Sequence, residues 1–321
     1  MHRFALLGTL GCALLCPAMG AVAQKYPSKP IRLMTPFAPG GGTDTLARLI
    51  QPDVSQALGQ TIVVDNRPGG GGSIGTTQAA AAEPDGYTLI VVSASYSANE
   101  LVHDLPFDTV TGIQPVILFG ETGLVVTVHP SKPVKSIREL ISHMKANPGK
   151  LNFGSAGLGG LGHLAQELFK HMTQVEFTHV PYKGSGPVMN ALLSAQVDSS
   201  FSSLVPSIPH IKAGRLRGLG VTTPKRSRAL PDLPTIGETV TGFEVIHWYG
   251  LWGPKGLPTE IVTRWNTEVA KVLRSERISK WFEHEGMEVA AGPPEQFQNR
   301  IKSDVEKWRK LAKDANIVLR R

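Results

Sequence analysis

Cysteine is almost absent from this sequence of 321 residues, which contains only Cys12 and Cys16. Both lie in the first 23 residues, a stretch that we expect to be removed, so the mature chain would contain none. A disulfide framework is therefore excluded as the source of stability. A mature chain of about 300 residues is long enough to bury a large core and to form two domains.

Long hydrophobic runs are missing as well. The apolar run from Phe4 to about Cys16 is too short to span a bilayer comfortably, and no later stretch reaches the roughly 18 apolar residues that a membrane helix needs. A charged start precedes this run, and the small residues Ala21 and Ala23 follow it. The pattern predicts a signal peptide over 1–23, cleaved after about Ala23, and a soluble, exported mature protein.

Charge of either sign is not clustered along the chain. There are 33 Lys and Arg against 26 Asp and Glu, a net charge of +7 that becomes +6 once Arg3 is removed with the signal peptide. The basic residues are scattered, without aromatic interleaving or a nucleic-acid motif, so we interpret them as a solvated surface and expect no nucleic-acid partner. At most they steer anionic ligands toward the protein.

Catalytic and metal-binding motifs are absent too. No G-x-S-x-G elbow surrounds Ser155 or Ser185, and the sequence contains neither H-E-x-x-H nor a Cys/His metal set. No spacing suggests an acid and base pair. We therefore expect a protein that is not an enzyme and that carries no metal and no cofactor; a secreted hydrolase is the less favoured alternative.

Glycine is abundant where the chain turns from a strand into a helix. The segment TPFAPGGGTD, from Thr35 to Asp44, follows an apolar strand pattern and precedes a helical one. Its three consecutive glycines let the backbone approach a ligand, and the following helix start presents unpaired N–H groups at the positive end of the helix dipole. The segment favours a carboxylate site that needs no basic side chain. A plain tight turn is the alternative, because a single glycine run is a weak indication.

A second segment has the same physical character. GSAGLGGLG, over 154–162, follows a strand pattern at 151–153 and precedes a helical pattern that begins at His163. The two segments share almost no sequence identity, but each ends a strand in a bare loop and opens a helix. Two such helix starts that face each other would hold one anion from both sides.

The rest of the chain alternates strand and helix patterns. Strands are predicted near 31–34, 61–65, 87–92, 124–128, 151–153, 177–180, 197–203, 216–222 and 244–251. Pro52 is expected to kink the first helix or to divide it in two. The chain is predicted to be helical after Gly253-Pro254, and the last helix carries one apolar face of Phe297, Ile301, Val305, Trp308 and Leu311.

This order predicts an α/β protein with two lobes. The β-α-β series of the first part indicates a mostly parallel sheet, and a second series begins near residue 151. Crossings near 124 and 245 would give a first lobe of 24–124 plus 245–321 and a second lobe of 125–244. Two crossing strands would form the hinge, with both glycine loops at strand ends that face the cleft.

Six segments closely resemble the Bug/TctC family, the periplasmic substrate-binding receptors of tripartite tricarboxylate transporters. They occur in the family's order and cover essentially the whole mature chain. The segments are YPSKPIR (26–32), PFAPGGGTD (36–44), NRPG (66–69), PDGYTL (84–89), HVPYKG (179–184) and LPDLPT (230–235).

The resemblance implies a type II periplasmic-binding-protein fold that closes on a small carboxylate. In the family, the loops that match 37–43 and 155–160 hold one carboxylate through backbone N–H groups and ordered waters. The resemblance also implies a location in the periplasm and membrane subunits of such a transporter as partners, and we expect a monomer. This sequence differs from the family at Gly160, where Ser is usual, at Pro52, and at Asn99-Glu100, where Asn-Pro is usual.

The candidate ligand-binding residues lie mainly in the two loops. They are Phe37, Ala38, Gly40, Gly41, Gly42, Thr43, Asp44, Ser95, Ser155, Ala156, Gly157, Gly159, Gly160, His163, Tyr182 and Ser202. His163 either donates to a ligand or supports its loop. Asp44 is interpreted mainly as a helix N-cap, since a bare carboxylate would repel the anion. Trp248 and Trp252 are interpreted as hinge packing.

The serine-rich strand 197–203 indicates the ligand class. A buried ammonium needs an acceptor or a negative charge, and related proteins often carry an acidic residue at the position of Ser202. The nearest acid here, Asp198, lies at the start of the strand. We therefore expect a small organic acid without an amine, such as a dicarboxylate, a hydroxy acid or an aromatic acid. Whether the receptor feeds a transporter or reports to a membrane sensor stays open.

Overall fold

The computed structural model of the protein describes residues 26–314, and the predicted signal peptide lies outside them. Within this range the strands are β1 (Ile31–Thr35), β2 (Ile62–Asn66), β3 (Thr88–Ser93), β4 (Ile113–Val128), β5 (Asn152–Ser155), β6 (Thr178–Pro181), β7 (Ser199–Ser203), β8 (Arg217–Val221), β9 (Ile246–Pro254) and β10 (Glu288–Val289). The α-helices are α1 (Gly42–Leu58), α2 (Ser73–Ala80), α3 (Ser95–Ala98), α4 (Ile137–Ala146), α5 (Leu161–Thr173), α6 (Ser185–Leu193), α7 (Leu204–Lys212), α8 (Thr259–Leu273), α9 (Glu276–His284) and α10 (Pro294–Asp314).

The strands form two parallel groups on either side of an antiparallel pair. Their order is β2-β1-β3-β9-β4-β7-β5-β6, and β8 and β10 both pair with β4. Strand β1 lies parallel to β2 and β3, and β5 lies parallel to β6 and β7. The pair β4 and β9 runs antiparallel in the middle. This arrangement is the two-lobed α/β fold that the pattern of the sequence predicted.

Strand β4 passes from one lobe into the other. Its residues 113–123 pair with β9, and its residues 124–128 pair with β7 and β8. The sequence predicted only 124–128 as a strand, because Pro115 and Gly120 interrupt the apolar pattern before it. A register shift next to Pro115 accommodates the residue, which cannot donate to a strand ladder.

The two crossings of the chain are held together by Thr222. Its hydroxyl donates to the carbonyl oxygen of Val245 at 2.7 Å and accepts from the N–H of Leu124 at 2.8 Å. The N–H of Val245 donates in turn to the carbonyl oxygen of Thr222 at 2.9 Å. These bonds lie where the sequence places the hinge, although the domain boundaries themselves stay a prediction.

Helix α1 runs without a break through Pro52, so of the two effects expected of Pro52, a kink or a division of the helix, the division was wrong. Leu46, Ile50 and Val54 are buried on one side of the helix, and Pro52 lies on its exposed side. Water can satisfy the carbonyl group that loses its partner there, and packing of the buried face outweighs the missing hydrogen bond. Gly59 ends the helix with a left-handed backbone conformation, at φ 72°.

Helix α10 buries its apolar face against the antiparallel pair β4 and β9, and the sequence predicted that this face is apolar. Phe297, Ile301, Val305 and Trp308 of α10 are buried, and Leu311 is partly buried against the same core. Trp248 of β9 packs edge-on against Phe297 and donates its indole N–H to Asp304 at 2.6 Å. The prediction of an all-helical C-terminal part was wrong at Glu288–Val289, which pair with β4 as a two-residue strand too short to leave a periodic pattern.

Candidate functional site

The starts of helices α1 and α5 face one cavity between the lobes. The cavity contains about 480 Å³ of space that no atom occupies, part of it open to solvent. It is lined by Phe37, Gly41, Gly42, Thr43, Ser93, Ser95, Leu124, Ala156, Leu161, Gly162, Ser185, Val188, Ser200, Phe201, Ser202, Ser203, His247 and Tyr249.

The loop before α1 is held by Asp44, which lies behind it. The carboxylate accepts from the N–H of Gly40, from Arg48 Nε and from Asn66 Nδ2, each at 3.0 Å. Burial raises the pKa of Asp44, but these hydrogen bonds outweigh it and hold the pKa below its usual value. The N-cap residue is Gly41, so the prediction that Asp44 is the N-cap was wrong. Asp44 is the third helical residue, and from this position its carboxylate accepts a hydrogen bond from Gly40 in the preceding loop.

The first turn of α1 leaves donors that point at the cavity. The earliest N–H groups of a helix have no intrahelical acceptor. Next to them, the hydroxyls of Thr43 and Tyr249 are buried and have no hydrogen-bond partner in the described part of the chain. Burial raises the pKa of the Tyr249 phenol well above its usual value, and the nearby Ser203 hydroxyl acts in the opposite direction. The Ser203 hydroxyl does not form a hydrogen bond of normal geometry with the phenol. The phenol is therefore protonated and can donate.

Tyr249 also explains why a glycine opens helix α1. A methyl group on Gly42 would lie 2.0 Å from the Tyr249 hydroxyl oxygen and 2.7 Å from the ring carbon that bears it. Any other residue at this position would have to displace a fully buried aromatic ring. Gly42 thus lets the phenol lie directly against the helix start.

The first turn of α5 is capped from the other lobe. Gly160 is its N-cap and brings no side chain that could accept from the first N–H groups of the helix. Ser95, at the start of α3, acts as the cap instead, because its Oγ accepts from the N–H of Leu161 at 3.0 Å. The bond joins the two lobes directly across the cavity.

We expect the substitution Gly160→Ser to be almost neutral for stability. Gly160 has φ −70°, and a new Cβ would lie 3.2 Å from the carbonyl oxygen of Gly157, so the side chain can be accommodated after a small shift. A serine N-cap is better than glycine by only a few tenths of a kcal/mol, and Ser95 already satisfies one N–H. Urea denaturation measures this difference. A loss of more than about 1 kcal/mol would contradict the expected fit of the loop.

Ser155 and two histidines form a layer beneath the second glycine loop. Ser155 Oγ lies 2.6 Å from His179 Nε2 and 3.2 Å from the carbonyl oxygen of Gly157. His163 stacks on His179 with ring centroids 4.1 Å apart, and its Nδ1 accepts from the N–H of Gly159 at 3.2 Å. Burial lowers the pKa of both histidines to about 4, so both are neutral near pH 7. His163 supports its loop, which was one of the two roles considered for it.

The Ser155–His179 pair has the spacing of a nucleophile and its base, but Ser155 is only 1% exposed and does not line the cavity. A nucleophile must reach its substrate, and this hydroxyl is enclosed by its own loop. The pair therefore fixes the backbone of the loop rather than offering a reactive oxygen.

The structure brings part of the predicted site together at the cavity. The predicted residues on its wall are Phe37, Gly41, Gly42, Thr43, Ser95, Ala156 and Ser202. The others lie behind the wall or at the rim: Ala38, Gly40, Asp44, Ser155, Gly157, Gly159, Gly160, His163 and Tyr182. Ala38 and Gly40 line a separate groove on the outer side of their loop. Tyr182 packs partly buried beside the apolar residues of α6.

Sequence reasoning brought the serine-rich strand β7 to the site through Ser202, but it missed the wall that β9 provides. Ser200 and Ser203 of β7 are buried beside Ser202, and His247 and Tyr249 of β9 point into the same space. The alternation of two polar side chains at His247 and Tyr249, inside an otherwise apolar strand, was the available indication. The sequence analysis had interpreted β9 only as a strand whose tryptophans pack at the hinge.

The cavity wall carries no ionised side chain among its described residues. His247 is neutral, because burial lowers its pKa to about 3. Asp198 is engaged outside the cavity, where its carboxylate pairs with Lys132 Nζ at 2.5 Å and accepts from the N–H of Asn152 at 2.7 Å. Recognition of an anion here rests on helix starts and hydroxyl groups.

The lobes touch on both sides of the cavity. On one side the N–H of Ala38 donates to the carbonyl oxygen of Lys183 at 3.0 Å. On the other, Gly71 lies so close to the α5 loop that a Cβ on it would be 2.2 Å from the carbonyl oxygen of Leu158. The structure is thus a closed form.

Within residues 26–314, no helix combines the length and apolarity needed to cross a membrane, and no group of His, Cys, Asp and Glu side chains is arranged to hold a metal ion.

Comparison with known proteins identifies a matching family model and similar proteins that cover most of this chain. The model of the TctC family, described as the tripartite tricarboxylate transporter family receptor, matches residues 46–317. A Pseudomonas protein of the tcbD–tcbE intergenic region is 37% identical over 307 residues, which cover 94% of this chain and 91% of that protein. Protein BugT of Bordetella pertussis is 31% identical over 326 residues and is covered over its whole length.

Solved structures agree in fold. The periplasmic binding protein BugD has a TM-score of 0.88 at 34% identity and covers 92% of this chain and 100% of its own. An R. palustris protein solved with adipate has a TM-score of 0.87 at 40% identity, covering 91% of this chain and 98% of its own. MatC from Rhodopseudomonas palustris, with bound malate, has a TM-score of 0.85 at 29% identity, covering 89% and 99%. The predicted two-lobed periplasmic-binding-protein fold is confirmed, and this chain belongs to the TctC family of periplasmic solute-binding receptors.

Proposed function

We propose that the protein captures a small organic acid without an amine in the cavity between its lobes and delivers it to the membrane subunits of a tripartite tricarboxylate-type transporter. The observation that carries this proposal is the pair of helix starts, α1 and α5, that face each other across a cavity lined by serine hydroxyls. A carboxylate between them would accept from backbone N–H groups of both lobes.

The wall of the cavity supports the choice of an anion without an amine. Six serines, together with neutral His247 and Tyr249, offer donors for a carboxylate and for a second polar group of the ligand. An ammonium would be buried without an ionised partner, since Asp198 is held by Lys132 outside the wall. The bound adipate and malate of the two R. palustris relatives are acids of this class.

The proposed contacts are the predicted residues that line the wall, namely Phe37, Gly41, Gly42, Thr43, Ser95, Ala156 and Ser202. The predicted residues behind the wall would shape the loops instead. We further propose that the protein acts as a monomer in the periplasm after removal of residues 1–23, with lobes of 24–124 plus 245–321 and 125–244. A receptor that reports ligand to a membrane sensor is the second candidate, because it would use the same closure.

A thermal-shift screen of the purified protein tests the proposal. Matched pairs, succinate with aspartate and glutarate with glutamate, differ by the amine, and adipate and malate extend the panel. We expect the acids without an amine to raise the unfolding midpoint, since binding only the folded state stabilises it by about 2.7 kcal/mol at a hundred times the dissociation constant. If no carboxylate moves the midpoint, or if aspartate or glutamate binds tightest, the proposal fails. Steady conversion of a bound acid would restore the hydrolase alternative.

A further inference from the structure

Buried hydroxyls without partners collect at one end of the cavity. Tyr249 is 1% exposed and Thr43 is 2% exposed, and neither hydroxyl has a hydrogen-bond partner within residues 26–314. A buried polar group that stays unpaired carries a desolvation cost. Two such groups on the wall of one cavity, one in the first turn of α1 and one against Gly42, indicate a ligand that pairs with them.

The position of the Tyr249 hydroxyl is rigid. Its strand β9 is paired on both sides, with β3 and with β4, and Tyr249 takes part in both ladders. Its ring packs at a tilt against the His247 ring, with centroids 4.6 Å apart, and its hydroxyl lies against Gly42. The oxygen is thus held beside the first N–H groups of α1 before any ligand arrives, which lowers the entropy cost of binding.

The α5 side of the cavity is different, because some of its donors are already engaged. The N–H of Leu161 donates to Ser95 and the N–H of Gly159 donates to His163. The open donors therefore concentrate on the α1 side. There the N–H groups of the first helical turn, the Thr43 hydroxyl and the Tyr249 hydroxyl converge.

We infer that Tyr249 is a direct ligand contact whose phenol donates a hydrogen bond to the carboxylate bound at the start of α1, with Thr43 as the neighbouring donor. This inference rests on the proposed function, and it places most of the hydrogen bonds to the carboxylate on the first lobe. The ligand then binds to α1 and Tyr249 in the open protein, and the second lobe closes over it.

The substitution Tyr249→Phe tests the inference, because it removes only the hydroxyl and keeps the packed ring. We expect affinity for the acids that bind in the screen, beginning with adipate and malate, to fall roughly tenfold to hundredfold, since a hydrogen bond to a charged group is lost. The unfolding midpoint of the ligand-free protein should stay the same or rise, because the removed hydroxyl has no partner in the described structure. Calorimetry and thermal unfolding give the two readouts.

Tyr96→Phe is the matched control. Tyr96 is 2% exposed like Tyr249, but its hydroxyl donates to the carbonyl oxygen of Thr109 at 2.6 Å and does not line the cavity. Its loss should lower the midpoint of the ligand-free protein and leave affinity almost unchanged. Thr43→Val is a second test, and it should weaken binding in the same direction as Tyr249→Phe.

The outcomes separate this inference from the proposed function. Wild-type affinity in Tyr249→Phe and Thr43→Val, with the wild-type protein binding carboxylates, overturns the inference and leaves the function standing. A Tyr249→Phe protein that loses stability without ligand, as the Tyr96 control does, assigns the hydroxyl a structural role and also overturns it. A wild-type protein that binds no carboxylate overturns both.

Discussion

Gly71→Ala is expected to weaken carboxylate binding roughly tenfold to hundredfold while each lobe keeps its fold. Gly71 lies on the first lobe, and a Cβ on it would be 2.2 Å from the carbonyl oxygen of Leu158 and 2.9 Å from the nitrogen of Gly160, both on the second lobe. Backbone atoms cannot yield as the end of a flexible side chain can. Overpacking of this kind costs about 1–3 kcal/mol.

The free protein can avoid this collision by staying open. The collision therefore raises the free energy of the closed state alone. The apparent affinity falls in proportion to the fraction of the protein that can still close. Calorimetry with a carboxylate from the screen measures the loss. Small-angle scattering should find the variant more extended than the wild type at equal ligand concentration.

Gly59→Ala is the control for backbone strain. Gly59 has φ 72° and Gly71 has φ 60°, so alanine meets a similar conformational penalty at both positions. A Cβ on Gly59 would have no atom of the described structure within 4 Å. We expect this control to lose some stability and to bind normally. Equal affinities for both variants would mean that contact at Gly71 does not limit closure.

Acidification from pH 6.5 to 4.5 is expected to destabilise the protein by several kcal/mol. Burial lowers the pKa of His163 and His179 to about 4 and that of His247 to about 3. The unfolded chain takes up protons at these side chains below about pH 6.5, whereas the folded protein does not. The unfolded state is then favoured by up to about 1.4 kcal/mol per pH unit for each histidine.

The direction of this effect is defined by the lowered folded pKa values. The stability that these histidines contribute is complete above pH 6.5 and is lost as the pH falls toward 4. Carboxylates with lowered pKa values, such as Asp44, lose their contribution below this window, because they must first be protonated. Urea denaturation at half-unit steps between pH 7.5 and 4.5 measures the slope.

His163→Asn should reduce this slope, because asparagine keeps an acceptor near Nδ1 for the N–H of Gly159 and takes up no proton in this range. His171→Asn, on the exposed side of the same helix, is the matched control. His171 is exposed, so this control replaces a histidine of the same helix without disturbing the buried histidine pair. A wild-type slope in His163→Asn would show that the buried histidine is not the source.

Local chemistry determined the glycine-rich loops that the sequence analysis singled out and that the structure places beside the cavity. Gly40 and Gly159 have φ values of 82° and 76°, where other residues are strained, so the two glycine-rich loops at strand ends were recognisable without a structure. The α-helices that follow these loops begin close to where the periodic patterns begin. The order of strand and helix patterns supplied the two-lobed α/β class, and the resemblance of the motifs supplied the family and its periplasmic-binding-protein fold.

Tertiary structure alone decided which polar groups meet the ligand. Ser95 caps α5 from 66 residues away, and Tyr249 reaches the start of α1 only because β9 pairs with β3 and β4. Asp44 and Ser155, which the loop sequences made attractive, turn behind the wall to hold it. The physical reason is that helix starts and tight turns are encoded by neighbouring residues, whereas the approach of two lobes depends on strand pairing and packing between residues far apart in the chain, and no local period records it.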